Sequence, residues 1–415
     1  MQLDIDFVRS QFSQLNDDSD FVFCSNAGGS YVSNQVQTVM EHYNRHTRVQ
    51  PYEKYKTSNE AGQAMDRAIN GWAQALNIDS SELTIGPSTS LNTYVMANAI
   101  GSSLNKGDEI IVTNQDHEAN NGVWRRKAEE HGITCKEWCA DPVSGLLDPQ
   151  SLYELVNEHT KWVFFTHCSN IVGTSNPVQT ITSEIKKRSN ARVFVDAVAY
   201  APHHISDLKA LNVDGYVFSL YKVFGPHQSL MYIKKEVYNE LTPQCHYFNH
   251  YYSEKLLNPA GPQHAQVASC AGVLDYFHDL YNHHFNDQSL SSAQKMAEIH
   301  TLIAQHEDRL GAPILDYLSN SKKIRLLGKT HTLDRDRAPT IAFVPTGQSS
   351  LQVATKMQNQ GIGTESGDFY ALRLVTDLGI NPDDGVVRIS LVHYSSHQDV
   401  EKILLALDNA LTDHS

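Results

Sequence analysis

Long apolar runs are missing from this chain. No stretch nears the ~20 consecutive apolar residues of a membrane-spanning helix, so a helical anchor is not expected. The start, Met1-Gln2-Leu3-Asp4-Ile5-Asp6, has neither the basic nor the apolar region of a secretory signal. Cysteine is sparse and unpatterned. The six, at 24, 135, 139, 168, 245 and 270, show no CxxC or CxxH spacing, so zinc is not expected. They read as buried, reduced thiols of a cytoplasmic protein. Positive charge is short as well: 33 Lys and Arg against 47 Asp and Glu leave a formal net charge of −14. Nucleic acid and anionic membrane surfaces are therefore unfavoured partners, and any anionic ligand must be caught by local geometry. Histidine is plentiful at 21 residues, yet His203-His204 and His283-His284 lack partnered metal spacing. Both pairs read as surface or turn residues, and no metal site is expected.

What is present is globular: 40% hydrophobic and 19% charged over 415 residues, more than one compact core usually serves. No internal repeat or low-complexity tract is visible. The expected organisation is an N-terminal segment over 1–20, a large domain over 21–290 and a smaller C-terminal α+β domain over 291–415. From about residue 60 to 240, helical patterns alternate with short runs rich in β-branched and aromatic residues. Strands are expected at 108–113, 162–166, 192–196 and 215–219, and helices at 60–76, 91–100 and 182–189. Such alternation implies an α/β fold with a mostly parallel sheet covered on both faces. An irregular stretch over 244–264 precedes a helix-rich run to about 310. Strands at 323–327, 340–344 and 386–391 and helices at 350–361 and 399–411 then form the smaller domain. Ligands of such sheets bind beyond the carboxyl ends of the strands. His117, Thr166, Asp196 and Ser219 all fall there.

Lys222 follows an apolar run in Phe218-Ser219-Leu220-Tyr221-Lys222-Val223-Phe224-Gly225-Pro226. A lysine so placed is partly desolvated, which lowers its pKa and leaves free amine to form a Schiff base with an aldehyde. The plain alternative is a surface lysine in a turn. Asp196 ends another apolar run, a costly place for a carboxylate that lacks a cationic partner, such as a protonated pyridinium nitrogen, or a capping role. His117 can lie flat over an aromatic ring, move protons, or be structural. Gly86-Pro87-Ser88-Thr89-Ser90 precedes an apolar helix, and its N–H groups and dipole suit a phosphate as well as ordinary capping. Ser219 and Tyr221 add hydroxyls beside Lys222. Taken together, an amine, a carboxylate, a stacking ring and a phosphate cup are what pyridoxal 5′-phosphate requires of a protein.

The chain also resembles the class V branch of fold-type I pyridoxal-phosphate enzymes, in the cysteine desulfurase and selenocysteine lyase group. The resemblance spans roughly Asn26 to Leu411. It is carried by Ser25-Asn26-Ala27-Gly28-Gly29, by Pro87-Ser88-Thr89-Ser90, by His117 and by Ser169-Asn170-Ile171-Val172-Gly173. It continues in Val195-Asp196-Ala197-Val198-Ala199, in Ser219-Leu220-Tyr221-Lys222 and in Arg388-Ile389-Ser390-Leu391-Val392-His393-Tyr394-Ser395. The resemblance implies a large parallel-sheet domain with a small α+β domain, and a homodimer whose active site lies at the interface. It implies Lys222, His117 and Asp196 as catalytic residues. Ser88, Thr89, His117, Asn170, Asp196, Ser219, Tyr221 and Lys222 would hold the cofactor, Asn170 near its 3-hydroxyl. Arg388 would hold a substrate α-carboxylate, with Asn26, Tyr370 and Asp368 as further substrate contacts and Tyr52 and Tyr55 at the entrance.

Four departures stand out. Ala199 replaces a glutamine and Tyr221 a histidine. Ala260-Gly261-Pro262-Gln263 lacks the threonine that reaches a neighbour's phosphate, leaving Gln263 or His264 as substitutes. The loop that carries the desulfurase cysteine reads Gly367-Asp368-Phe369-Tyr370, and no cysteine occurs from Ala271 to Ser415. The expected activity is thus carbon–sulfur lyase chemistry by direct β-elimination, with loss of a thiol, sulfoxide or selenol. Aminotransferase, kynureninase-like or epimerase-like activity is the alternative, and a non-catalytic cofactor-binding scaffold a third.

Overall fold

The computed structural model describes residues 1–15, 20–332 and 336–412. The first strand is β1 (Val22–Phe23). A seven-stranded sheet is formed by β2 (Leu83–Gly86), β3 (Glu109–Thr113), β4 (Thr134–Trp138), β5 (Thr160–Thr166), β6 (Arg192–Asp196), β7 (Gly215–Ser219) and β8 (Ser229–Ile233). Its order is β2-β8-β7-β6-β5-β3-β4, parallel except where β8 runs against both neighbours. Side chains alternate across it with the period of two that a pleated strand imposes. Trp162 and Phe164 of β5 face one core with Met96, Ile100 and Trp124. Val163 and Phe165 face another with Trp72, Ile181 and Ile185. Helices Thr89–Gly101 and Gly122–His131 cover the first face; Lys56–Ala75 and Val178–Arg188 cover the second. Trp124 stacks on Phe164 at 3.9 Å, closing the first face over the site-bearing strands.

The C-terminal part holds β9 (Ile324–Leu326), β10 (Thr340–Pro345), β11 (Ile362–Gly363), β12 (Glu365–Gly367) and β13 (Val386–Ser390). An antiparallel sheet of order β12-β13-β10-β9 packs against helices Ser350–Gln358 and His397–Leu411. β1 pairs in parallel with β11, Val22 opposite Ile362, and Val22 and Cys24 join this core. The fold is α/β as expected, with the large parallel sheet and the C-terminal α+β arrangement. No helix among the described residues is long and apolar enough to cross a membrane.

Three strands of the large sheet escaped the sequence pattern. β2 is four residues long; β4 is a polar edge strand, Thr-Cys-Lys-Glu-Trp; β8 is buried throughout and carries no alternation. The expectation of six buried thiols is also corrected. Cys24, Cys168 and Cys270 are buried, but Cys135 and Cys139 are exposed on and beside that edge strand, and Cys245 is intermediate. The His203-His204 turn is half-buried, because His203 Nδ1 sits 2.9 Å from a carboxylate oxygen of buried Glu307.

Candidate active site

Five strand ends of the large sheet converge. Ser88, Thr89 and Ser90 follow β2, His117 follows β3, Asn170 follows β5, Asp196 ends β6, and Ser219, Tyr221 and Lys222 close β7. All nine line one cavity of about 290 Å³. Parallel strands make this possible: their carboxyl ends emerge on one side, so residues far apart in sequence meet there.

Lys222 is 6% exposed, in a tight turn after Ser219. Burial, with help from the Arg388 charge and against that of Asp196, brings its amine down to about 8. The turn is held from outside the sheet. The Ser30 N–H bonds the Tyr221 carbonyl oxygen at 3.0 Å, the Ser30 hydroxyl bonds that of Lys222 at 2.8 Å, and the Ser33 N–H bonds that of Phe224 at 3.0 Å. Asp196 is buried, which pushes its carboxyl up to about 6 against the pull of the Val198 N–H and Lys222. Its Oδ1 takes that N–H at 2.8 Å. At neutral pH it is an anion, ready for a cationic ring nitrogen.

His117 accepts the Ala119 N–H at Nδ1, at 3.0 Å, which puts its ring proton on Nε2. Burial and the charges of Lys222 and Arg388 lower it to about 4, so it is a neutral imidazole. The Tyr370 ring stands 5.2 Å away, and Tyr370 itself is largely exposed. Ser88 caps the helix through the Leu91 N–H at 3.2 Å. The Thr89 hydroxyl is 2.7 Å from that of Ser219 and 3.0 Å from that of Ser229, a buried triad that fixes the turn against β7 and β8. Asn170 spends its Nδ2 on the Phe369 carbonyl oxygen at 2.9 Å, leaving a buried Oδ1 with no partner among the described residues. The loop carrying Asn170 turns at Gly173, φ 68°, where a Cβ would sit 2.2 Å from the Thr340 carbonyl oxygen.

Arg388, on β13, is fully buried and donates Nη1–H to the Asn170 carbonyl oxygen at 3.1 Å. Phe369 covers one face of its guanidinium, 3.6 Å from ring centre to Cζ. Its Nε has no partner among the described residues. Burial lowers it to about 10, with Glu365 opposing, so it stays charged. A buried cation so weakly compensated is built to receive an anion. Phe369 and Tyr370 both adopt left-handed backbone, φ 48° and 61°, a conformation that costs energy in such bulky residues.

Other expected residues stand apart. Asn26 is buried with its amide committed: Nδ2 bonds the Ser390 carbonyl oxygen at 2.9 Å, and Oδ1 accepts the Tyr394 hydroxyl. Ser25 also forms a β-bridge with Ser390. Tyr52 lines a second cavity of about 780 Å³, as do Ala260, Gly261, Pro262 and His264, while Tyr55 is exposed. Ala199 lines the first cavity and supplies no polar group.

Two neighbours of the site were not singled out from sequence. His227 lines the lysine cavity; the sequence signal was its place directly after the Gly225-Pro226 turn. Cys168 also lines it, yet burial pushes this thiol up to about 12 and its Sγ bonds the Gly173 carbonyl oxygen at 3.3 Å. It is a protonated, committed thiol, unsuited to nucleophilic attack.

This fold and donor set define a fold-type I, pyridoxal-phosphate-dependent enzyme. More particularly, the chain belongs to the class-V aminotransferase family, whose model matches residues 22–403. It is 35% identical to the aminotransferase-like protein FGM3 of Gibberella zeae over 98% of each chain. It is 28% identical to the cysteine desulfurase-like protein ustD of Aspergillus flavus over 99% of this chain and 91% of that one. The crystal structure of the cysteine desulfurase CsdA of Escherichia coli superposes with a TM-score of 0.81, at 22% identity, over 99% of both chains.

The residues present fit the cofactor. The buried amine suits an aldehyde, Asp196 a ring nitrogen, and the unpartnered Asn170 Oδ1 a hydroxyl donor. The hydroxyl-lined helix start at Thr89 suits a phosphate.

Proposed function

We propose that the protein cleaves the carbon–sulfur bond of a β-substituted amino acid by direct elimination. The observation that carries this reading is the buried Arg388, its Nε without a partner among the described residues, held beside a cavity whose amine is Lys222 and whose one cysteine among the described residues is an inert thiol. Pyridoxal phosphate, when bound, supplies an aldehyde for amines and a cationic ring that draws electrons from the substrate α-carbon. Arg388 takes the α-carboxylate with two parallel N–H bonds, the pairing that guanidinium geometry favours. Lys222 accepts the α-proton at Nζ; with its amine near 8, a useful fraction is free base at neutral pH. Asp196 holds the ring-nitrogen proton. His117, neutral, provides a flat face for the ring and an Nε2–H for proton movement.

The test is product analysis with cysteine and S-alkyl cysteines. Pyruvate, ammonia and the freed sulfide or thiol are expected in equal amounts, unchanged within about twofold in Cys168→Ser, since replacing a committed thiol by a similar small group is a mild change. Alanine as product, or amino transfer to an added keto acid, would overturn elimination.

We also infer a homodimer with the site near its interface. In support, Tyr52 and Phe248 are exposed large apolar residues that line the second cavity, and Tyr55, Tyr247 and Tyr251, close to them in sequence, are exposed as well. Sedimentation equilibrium at micromolar concentration is expected to give twice the chain mass; a single-chain mass would reject the dimer.

A further inference from the structure

The phosphate cup at Ser88–Ser90 has few strong donors of its own. The Thr89 hydroxyl is shared with Ser219 and Ser229, whereas Ser88, which only accepts the Leu91 N–H, and Ser90 keep neutral hydroxyl protons to donate. The Ala260–Gln263 loop carries no hydroxyl. A dianion held by these hydroxyls, backbone N–H groups and Tyr221 meets, among the described residues lining the cavity, no formal positive charge other than the reactive lysine. The cavity wall supplies one further candidate. His227 lies beside the cup, its ring parallel to that of Tyr221 at 4.8 Å with an interplanar angle of 8°.

Its orientation is fixed. His227 Nδ1 is 3.1 Å from the Pro87 carbonyl oxygen, the peptide that leads into Ser88. A carbonyl accepts, so Nδ1 carries a proton, and Nε2 is the nitrogen without a partner among the described residues. The backbone is pinned too: the Gln228 side chain bonds the His227 carbonyl oxygen at 3.0 Å and Gln266 at 2.9 Å. An exposed histidine with a fixed backbone, an oriented ring and one open nitrogen beside a phosphate-sized cup is arranged as a receptor.

Building on the cofactor site argued above, we propose that His227 is a phosphate ligand of this enzyme, meeting a phosphate oxygen through Nε2–H while Nδ1–H stays on Pro87. Because both nitrogens then donate, the bound ring is an imidazolium, the charge that the cup otherwise lacks. Together with Tyr221, it supplies from within one chain what Ala260–Gln263 no longer offers.

The test compares pyridoxal phosphate with pyridoxal, which lacks the phosphate, by absorbance titration of the resolved full-length protein. His227→Ala is expected to weaken pyridoxal phosphate by about tenfold to a hundredfold, the range for one charge-assisted hydrogen bond. Pyridoxal affinity is expected to stay within about twofold, and His227→Arg to recover most of the loss. Equal weakening of both ligands would assign His227 to positioning Tyr221 and Lys222 instead, and no weakening of either would remove it from the site; each overturns the proposal. A wild type that binds neither ligand would instead sink the cofactor site itself.

Discussion

Replacing Lys222 with alanine is expected to abolish the visible absorption of the purified protein and cut turnover by about 10³-fold or more, the upper range for losing one positioned acid–base group. The same amine would join the cofactor and move the α-proton, so both readouts fall together. A misfolded variant is not the expected cause. The substitution removes a buried amine that burial already disfavours, so the unfolding temperature of the cofactor-free variant is expected to match wild type or exceed it. The amine's lowered value gives a second readout. Free base is the reacting form, so cofactor uptake by the resolved wild type should rise with pH and level off above about 8. An exposed lysine would keep rising to about 10.4. Uptake still climbing at pH 10, or a coloured Lys222→Ala protein, would overturn the assignment.

Arg388→Leu is expected to leave cofactor absorption intact while raising the amino-acid concentration needed for a spectral change by about 10²- to 10³-fold. That range corresponds to breaking one partner from a buried charge pair. Leucine relieves a buried charge and keeps an apolar contact for Phe369, so the site should stay assembled. The discriminating ligand is an amine without a carboxylate. It should bind both proteins alike, because only the carboxylate meets the guanidinium. An amino acid that binds the variant within about threefold of wild type would remove Arg388 from substrate recognition.

The strand ends were readable because short apolar runs in a parallel sheet stop where polar side chains enter a cleft. Asp196, His117 and Lys222 stood out for that reason, and all three line the same cavity. Less was visible where tertiary contact decides. Ser229 sits in a uniformly buried antiparallel strand, and only the fold sets its hydroxyl 3.0 Å from Thr89. Phe369 lay unremarked in the Gly367–Tyr370 loop that stands where desulfurases carry a cysteine; its stacking on Arg388 depends on two left-handed residues that no periodicity announces. Cys135 and Cys139 were misread as buried because an edge strand exposes residues that the same letters in a central strand would hide. Asn26 was singled out by a motif, and its amide holds β13 and Tyr394.

The stretch from Ser25 to Ser33 belongs to neither sheet, yet it touches both working ends of the site. At one end it grips Ser390, two residues from the guanidinium; at the other it grips the carbonyls of Tyr221, Lys222 and Phe224. It is a splint. This short segment ties the group that would anchor the substrate to the group that would move its proton, alongside the direct bond from Arg388 to the Asn170 carbonyl oxygen. One residue added or removed there would change the gauge of the reaction while leaving every reacting side chain in the sequence.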